Sequence, residues 1–497
     1  MKNEFNNKII YFIIFIGIFL NVAYIMQFND YYDDWNFFYT VDPRVSNAET
    51  WQRHYFGDRG DYFLKEAFPW NFTYFTKYFL KFSGYTVEKT HYFLLSFSIL
   101  SFFMFYKLCN LLLKDLKFVI LALILFATNL YLIRETNSFR PHSLSILLSL
   151  ISCYFFILIF VRNKPDKIFL FAYIVSTLFL LSFWPQNLAI FGSHCIFLFL
   201  LFLKRKSNIL LYLLTPTLIF LLYIILNFKY IEYIAFQDWS YTHFDPKFFV
   251  NYFFRSFFGS IFFGGFMLSI FSFYLIKEIK VNVEKFKEKS LFKVPFFKLD
   301  EESFILTNIL SVYFFIISYS LIKESVMAPK YFLALLPLII IWLSFKISKI
   351  KKNIFYSLVL IFAVLNSIYY WDDTPIKRLP IKELLNVINS KNIKKIYTTE
   401  NIVFNNYLSN YKLAIVNEIK VEKFHLMKEN IAEEKIVFVC MNYPRAAYGG
   451  ENYKDLIEPK CKNLSTTLKK KKKINIKKEL EKFKIADFIV FIIEYES

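Results

Sequence analysis

The chain has 497 residues, of which 56% are hydrophobic and 22% aromatic. A soluble protein of this length does not need so large an apolar fraction. The formal net charge of +20 would suggest nucleic acid in a soluble protein, but here Lys and Arg collect in short loops between apolar runs, where they set membrane orientation. The composition therefore indicates a polytopic membrane protein in a lipid bilayer, with no nucleic-acid partner.

The first predicted element is an N-terminal span. Lys2 and Lys8 precede apolar residues that continue to Phe28. This run is longer than a signal-peptide core and no small-residue cleavage site follows, so we interpret it as an uncleaved helix. Ten further apolar runs have lengths that suit helices crossing a hydrocarbon core of about 30 Å. The predicted spans are 8–28, 90–113, 118–133, 143–161, 168–184, 188–203, 208–226, 256–276, 304–322, 331–346 and 354–370.

Basic residues predict the orientation of these spans. They collect in alternate connections, which the positive-inside rule assigns to the cytoplasm. These sets are Lys2 and Lys8; Lys114 and Lys117; Arg162, Lys164 and Lys167; Lys204-Arg205-Lys206; Lys277 to Lys298; and Lys346 to Lys352. The external segments are then 29–89, 134–142, 184–187, 227–255, 323–330 and everything from 371. We expect the chemistry on this outer face, because almost all acidic residues near the spans lie there.

The composition changes after the last span. Residues 1–370 are predicted to form a transmembrane catalytic domain, and 371–497 a small extracytoplasmic α/β domain. Its predicted elements are a helix at Ile381–Ile388 and strands at Lys394–Thr398, Lys435–Cys440 and Asp487–Glu494. Lys469–Lys473 is interpreted as a solvated loop, with contact to anionic lipid as the minor alternative.

Two cysteines of this tail form a possible disulfide. Cys440 ends a predicted strand, and Cys461 follows a loop that contains two glycines. Oxidation is permitted outside the cytoplasm. A disulfide and two unpaired thiols are equally compatible with the sequence.

An acidic doublet follows the first span. Asp33 and Asp34 lie in the outer loop 29–89, just before Trp35. A carboxylate at a membrane surface suits proton or metal chemistry, so one interpretation is a general base with a metal or hydrogen-bond partner. The other is a helix N-cap, because Asp before an aromatic-rich stretch caps well.

The connection between the third and fourth spans is rich in ionisable residues. It contains Arg134, Glu135, Arg140 and His142, and Pro141 begins the next helix. Arg makes bidentate contacts with phosphate, and helix-start N–H groups favour an anion. Ordinary anchoring of helix ends at the membrane interface is an equally good explanation.

Two further outer features are candidates. Lys330 begins the tenth span and would meet a phosphate, although snorkelling to the headgroups is the simpler explanation. Asp238 and His243 lie in an aromatic loop that would close over a substrate or contact an acceptor, and Glu135 is a third candidate for this role. Such loops are more often interfacial stretches.

These segments, in this order, resemble motifs of the GT-C class of membrane glycosyltransferases, particularly the protein O-mannosyltransferase and aminoarabinose-transferase superfamily. The acidic doublet matches an Asp-Asp or Asp-Glu motif of that class. Residues 69–84, 140–144 and 328–337 resemble the motifs before the second span, at the fourth span and at the tenth span. The resemblance covers about residues 10–345.

The sequence also departs from the motifs of that class. Ser138 stands where a Glu is frequent, with Glu135 one turn earlier, and Lys330 stands where Arg is usual. A His that is common after the fifth span is replaced within Trp184-Pro185-Gln186-Asn187. The tail matches no pattern of the class.

The resemblance implies an inverting glycosyltransferase of the plasma membrane. A sugar would move from a polyprenyl-phosphate donor to a hydroxyl of a glycan, lipid or protein acceptor on the outer face. Asp33 would act as base with Asp34 beside it, and Arg134, Arg140, His142 and Lys330 would bind the donor phosphate. No cofactor is required, although a divalent metal at Asp33 and Asp34 is possible. The alternatives are a lipid-linked saccharide flippase and a non-catalytic scaffold.

Overall fold

A computed structural model describes most of the helical part of the chain and the strands of its tail. The described residues are 2–27, 37–55, 69–205, 210–235, 252–253, 256–257, 260–288, 299–322, 329–348, 353–371, 390, 395–398, 415–418, 435–441, 476–485 and 488–495. They divide into two compact units. The first comprises Met1–Met26 and Thr40–Pro375, and the second comprises Gln27–Tyr39 and Ile376–Ser497.

The first unit is α-helical. Its helices are α1 (Lys2–Gln27), α2 (Asn47–Tyr55), α3 (Trp70–Ser83), α4 (Val87–Leu112), α5 (Leu116–Ala127), α6 (Leu130–Thr136), α7 (His142–Phe156), α8 (Lys167–Phe183), α9 (Leu188–Arg205), α10 (Thr215–Ala235), α11 (Ile261–Glu288), α12 (Glu301–Ile322), α13 (Leu336–Ser348) and α14 (Asn353–Tyr370). Short π-helical or 3-10 segments lie at Ile157–Val161, Pro185–Asn187, Leu210–Leu214 and Pro329–Leu335.

The helices confirm an integral, multi-pass membrane protein. Every predicted span coincides with a helix. Among the described residues, eight helices are long and apolar enough to cross a membrane, or nine when the bent pair α5 and α6 counts as one. The other two predicted spans correspond to shorter apolar helices, at Lys167–Phe183 and Tyr356–Tyr369. The sequence-based number of eleven is higher because it counted apolar runs, whereas a straight crossing also needs sufficient helix length.

α7 and α13 form the centre of the bundle. In the apolar stretches of His142–Val161 and Pro329–Ser348, 78% and 83% of the residues are buried, against 28% in Tyr212–Glu232. A helix that is apolar on all sides belongs in such a position. The two central segments are in direct contact, since the Ser149 hydroxyl donates to the Ala334 carbonyl at 3.3 Å.

The third predicted span is broken near its C-terminal end. α5 and α6 meet at a bend of 55°. Asn129 stabilises the break, because its side-chain oxygen accepts from Leu132 N–H at 2.9 Å and its amide donates to the Phe257 carbonyl at 3.2 Å. Asn at an N-cap satisfies helix-start N–H groups that otherwise lack an intrahelical partner. The bend changes the direction of the chain between α5 and α6, and α6 carries Arg134 and Glu135.

One end of the bundle is held by ion pairs. Arg162 Nε lies 2.9 Å from Glu301 Oε1. The ammonium of Lys346, which is buried, pairs with both Glu278 and Glu302. Every segment in this set belongs to the side that the charge distribution assigns to the cytoplasm.

The other end is joined by neutral contacts. Asn71 donates to the Ser182 carbonyl at 3.1 Å and to the Asn227 side-chain oxygen at 2.8 Å. The Tyr252 hydroxyl donates to the Phe332 carbonyl at 3.4 Å. These segments are the ones predicted to be external, so the contacts agree with the predicted grouping of helix ends. Which end faces outwards stays a prediction.

A buried lysine fixes the two short helices that follow the first span. Lys77 of α3 donates to the carbonyls of Val45 and Ser46 at 2.9 and 3.2 Å and to the Thr50 hydroxyl at 2.6 Å. Burial lowers the pKa of Lys77 from its ordinary value. Three oxygen acceptors compensate for the loss of water around the ammonium.

The second unit contains a mixed sheet of five strands among its described residues. The strands are β1 (Lys395–Thr398), β2 (Ile415–Glu418), β3 (Lys435–Met441), β4 (Ile476–Ile485) and β5 (Phe488–Tyr495), in the order β2-β1-β3-β5-β4. β1 is parallel to β2 and β3, and β5 is antiparallel to β3 and β4. The three predicted strands are confirmed to within one residue at each end.

Two strands, β2 and β4, were not predicted. Several predictions for the tail concern residues outside the described part of the chain. These are the helix Ile381–Ile388, the lysine run Lys469–Lys473 and Cys461, so the proposed disulfide to Cys440 also stays a prediction.

Candidate functional site

A small pocket opens where three segments meet at the end of the bundle predicted to be external. The segments are the start of α7, the turn between α8 and α9, and the 3-10 segment before α13. The pocket is lined by His142, Ser145, Trp184, Asn187, Lys330, Tyr331, Leu333 and Ala334. Polar and aromatic groups thus converge at the ends of otherwise apolar helices, as is typical of a small-molecule site.

Local sequence explains how the turn enters the pocket. Trp184 is extended, with φ −147° and ψ 117°, and Pro185 starts a single 3-10 turn. The Asn187 amide donates to the Leu180 carbonyl at 2.8 Å and to the Ser145 hydroxyl at 3.2 Å. Asn187 therefore holds the turn between α8 and α9 against the first turn of α7.

Aromatic contacts build one wall of the pocket. The Trp184 ring meets the His142 ring edge-on at 5.0 Å and lies 6.1 Å from the Tyr331 ring. Lys330 Nζ lies 5.5 Å from the Tyr331 ring centroid, within the range of a cation–π contact. The wall carries both a positive charge and flat apolar surfaces, a combination that suits a phosphate next to a sugar or lipid chain.

A buried ion pair lies behind the pocket. Arg134 Nη2 is 2.5 Å from Glu135 Oε1, and both side chains are largely buried. The other carboxylate oxygen, Oε2, lies 3.2 Å from His142 Nδ1. The Arg134 guanidinium also lies 4.7 Å from the Tyr131 ring. Arg134 thus pairs with Glu135, and Glu135 in turn contacts His142.

The surroundings of His142 determine its tautomer. Besides the carboxylate, Nδ1 lies 3.3 Å from the Glu135 carbonyl and 3.3 Å from the Ser138 hydroxyl. Because the carboxylate and the carbonyl only accept hydrogen bonds, Nδ1 carries the proton. The Nε2 atom is buried and has no hydrogen-bond partner among the described residues. Since the ring lines the pocket and Nδ1 faces Glu135, Nε2 is the atom left for a ligand.

Two cationic side chains lie near His142. Lys330 and Arg140 both act electrostatically on His142. Arg140 is half-buried in the turn before α7, where its N–H donates to the Ser138 carbonyl at 2.7 Å. Two cations near a neutral imidazole with an available nitrogen favour an anionic ligand.

The end of α1 contacts this region. Asn21 Oδ1 accepts from the Thr136 hydroxyl at 3.3 Å and from the Asn137 amide at 2.9 Å. α1 ends at Gln27, six positions before Asp33. The acidic doublet therefore follows, along the chain, a helix attached to the loop that carries Arg134 and Arg140.

The structure brings together only some of the predicted site residues. His142 and Lys330 line the pocket, Arg140 is near His142, and Arg134 and Glu135 form the ion pair behind it. The remaining candidates, Asp33, Asp34, Asp238 and His243, lie outside the described residues. The sequence-based prediction did not include Ser145, Trp184, Asn187 and Tyr331. The one available signal was the Trp184–Asn187 turn, which stands where the resembled class often has a His.

The sequence leaves a divalent metal at Asp33 and Asp34 possible. In the part of the chain that the structure describes, no group of three or more His, Cys, Asp or Glu residues is arranged to hold a metal ion. The carboxylates proposed as possible ligands, Asp33 and Asp34, are outside that part.

Comparisons with known proteins give one structural similarity to report. No protein-family model matches the chain, and no curated protein matches its sequence. The solved structure of ArnT from Cupriavidus metallidurans bound to undecaprenyl phosphate is similar, with a TM-score of 0.48, 10% sequence identity and coverage of 97% of each chain.

Proposed function

We propose that this protein is an inverting glycosyltransferase that moves a sugar from a polyprenyl-phosphate donor to a hydroxyl acceptor on the outer face of the membrane. The observation that carries the proposal is the pocket lined by Lys330 and His142 at the helix ends, with Arg140 near His142. A lipid phosphate is an anion confined to that depth of a bilayer. Cations at the end of an apolar bundle match both its charge and its location.

The reaction would be a single displacement at the anomeric carbon. Asp33 takes the proton of the acceptor hydroxyl, and the resulting nucleophile attacks from the face opposite the phosphate, so the anomeric centre inverts. Lys330 and Arg140 stabilise the phosphate as its charge grows on bond cleavage. Asp34 orients Asp33 or the acceptor. The phosphate is already a good leaving group, so the step does not require a metal.

The flippase alternative is less well supported. It requires polar groups at mid-depth that are available to a passing headgroup. Some polar groups inside the bundle are buried and paired with each other: His194 Nδ1 lies 3.2 Å from the Tyr173 hydroxyl, and Ser152 lies 2.8 Å from Thr177. Such pairs connect neighbouring helices in a membrane.

A reconstituted transfer assay tests the proposal. The purified chain in liposomes is given radiolabelled polyprenyl-phosphate sugars and a panel of hydroxyl acceptors, and transfer is measured for wild type and Asp33→Asn. The matched control is Asp115→Asn, because Asp115 caps α5 and Asn caps a helix equally well. Transfer that is lost in the first variant and kept in the control supports the proposal. Movement of the donor between leaflets without transfer would establish the flippase instead.

A further inference from the structure

Phosphate binding by Lys330 and Arg140 does not explain why His142 Nε2 is buried at the pocket without a partner among the described residues. His142 Nε2 is buried without a hydrogen-bond partner among the described residues, while Nδ1 is held by Glu135. A buried polar atom without a partner destabilises the state in which it lies. A ligand in the pocket would remove that destabilisation.

We propose that His142 is the proton donor to the departing phosphate, and that Glu135 is the positioning residue that makes Nε2 the donating atom. This inference rests on the proposed function, because it assigns the proton of the same reaction. In the free protein the imidazole is neutral, with Nδ1–H donating to Glu135. Its Nε2 lone pair cannot hydrogen-bond to a phosphate anion, since both groups are acceptors.

Donor binding therefore requires a proton. The glycosyl phosphodiester carries one negative charge and no ionisable proton of its own. When it enters, Nε2 takes one proton from solvent, and the imidazolium lies between the Glu135 carboxylate and the phosphate. Two charge-assisted hydrogen bonds then stabilise the charged ring. Lys330 and Arg140 disfavour the imidazolium in the empty pocket, and the phosphate charge offsets them in the complex.

The proton and electron balance closes over one turnover. The bond between the anomeric carbon and the phosphate oxygen breaks, and its electron pair stays on that oxygen. The Nε2 proton moves to the phosphate, which leaves as a hydrogen-phosphate monoester. The acceptor oxygen forms the new bond to the anomeric carbon and gives its proton to Asp33. Asp33 then releases that proton to solvent, so His142 and Asp33 both return to their starting states.

The charges around His142 distinguish proton transfer by this residue from phosphate binding by fixed cations. Arg134 neutralises the remaining oxygen of Glu135, so the carboxylate stays ionised behind the ring. The other cations near His142 are Lys330 and Arg140. Of the described groups near the pocket, the imidazole is the one whose charge changes near neutral pH.

A calorimetric experiment tests the proposal without catalysis. The probe is a methyl polyprenyl phosphodiester, a donor surrogate whose own charge is constant near neutral pH. Its binding to the full-length protein is measured in buffers with different ionisation enthalpies. We expect wild type to take up about one proton near pH 8, and the affinity to fall by up to about tenfold for each unit of pH increase.

Three variants identify the group that takes up the proton. His142→Gln should bind with no proton uptake and with an affinity independent of pH. In Glu135→Gln, which keeps the imidazole, the uptake should move to lower pH. His194→Gln is the matched control, because it removes a buried imidazole that contacts Tyr173 and does not line the pocket, and it should behave as wild type.

The outcomes are distinguishable. If wild type does not bind the phosphodiester more tightly than a neutral lipid of the same length, the proposed donor site is wrong. If wild type binds without proton uptake, or if His142→Gln keeps the uptake, only the role of His142 is wrong. If the buried substitutions prevent folding, the wild-type measurement alone still tests whether binding takes up a proton.

Discussion

Replacing Lys330 by Met should weaken donor binding more than it affects the fold. The side chain is half-buried, with Nζ 5.5 Å from the Tyr331 ring. Met keeps a similar length and apolar body, so the contact with the ring is largely retained while the charge is lost. A hydrogen bond to a charged group contributes about 1.5–3 kcal/mol, and partial exposure favours the lower half of that range. This corresponds to a Kd increase of roughly ten- to fortyfold.

The measurement is binding of the methyl polyprenyl phosphodiester to protein in detergent, at two salt concentrations. The salt dependence should decrease in Lys330→Met because one screened charge interaction is gone. In the transfer assay, kcat/KM should fall by more than Kd rises, since the phosphate gains charge in the transition state. Lys330→Arg should keep most of the affinity.

Lys164→Met is the control for the loss of a positive charge, because Lys164 is exposed in the connection between α7 and α8, at the other end of the bundle. Unchanged affinity and unchanged salt dependence in Lys330→Met would show that this lysine only reaches towards headgroups. An equal loss in Lys164→Met would mean that the effect comes from net charge and not from the pocket.

Further predictions concern the base, the second cation, the opposite end of the bundle and the orientation of the tail. Asp33→Asn should reduce transfer by about 10²–10⁴-fold without loss of folded protein, and Asp34→Asn should reduce it less; equal losses would indicate joint metal binding. Arg140→Ala should raise KM for the donor more than for the acceptor, with only partial rescue by Lys, as separate titrations of the two substrates will show. Lys346→Met leaves two carboxylates without their cation and should destabilise the protein by about 3 kcal/mol, measured by denaturant unfolding in detergent. A cysteine introduced in the tail after removal of Cys440 should react with an impermeant thiol reagent from outside intact cells, and protection there would contradict the predicted topology.

Hydropathy predicted the helices well and their breaks poorly. Each predicted span lies on a helix because a run of apolar residues has one stable arrangement in a bilayer, in which backbone groups bond within the segment. The bend between α5 and α6 was not predicted, since Thr128 and Asn129 interrupt the apolar run only briefly. The side chain of Asn129 stabilises the break through Phe257, a contact 128 positions away along the chain. Hydropathy windows contain no information on such a contact.

The strands of the tail show a related limit. β1, β3 and β5 were predicted because they are compact apolar runs, and they are adjacent in the sheet. β4, Ile476–Ile485, is an edge strand that is rich in Lys and Glu. Charged edge strands are common because they discourage pairing with other chains, but their composition does not distinguish them from a solvated helix.

The site was predictable in its residue types but not in its pairing. Arg134, Glu135 and His142 were all identified from the sequence, with the arginine assigned to phosphate and the glutamate to an acceptor. The structure pairs the first two and places the carboxylate on His142, seven positions further along and across the turn between two helices. The contact between Glu135 and His142 depends on the turn between the two helices. Sequence spacing alone does not predict the geometry of that turn, and so it does not predict the contact.

That pairing changes which residues remain for the ligand. An arginine held by a buried carboxylate is less available to a phosphate than its position in the sequence suggests. The phosphate-binding role is therefore assigned to Lys330, which lines the pocket, and to Arg140, which is near His142. The same carboxylate fixes the tautomer of His142 and leaves Nε2 for the ligand. The ion pair therefore orients a group that transfers a proton, and the substitution of Glu135 should alter the pH dependence of donor binding, whereas the substitution of Lys330 should alter its salt dependence. The effects of the Lys330 charge and the Glu135 charge on donor binding can thus be distinguished by two different measurements.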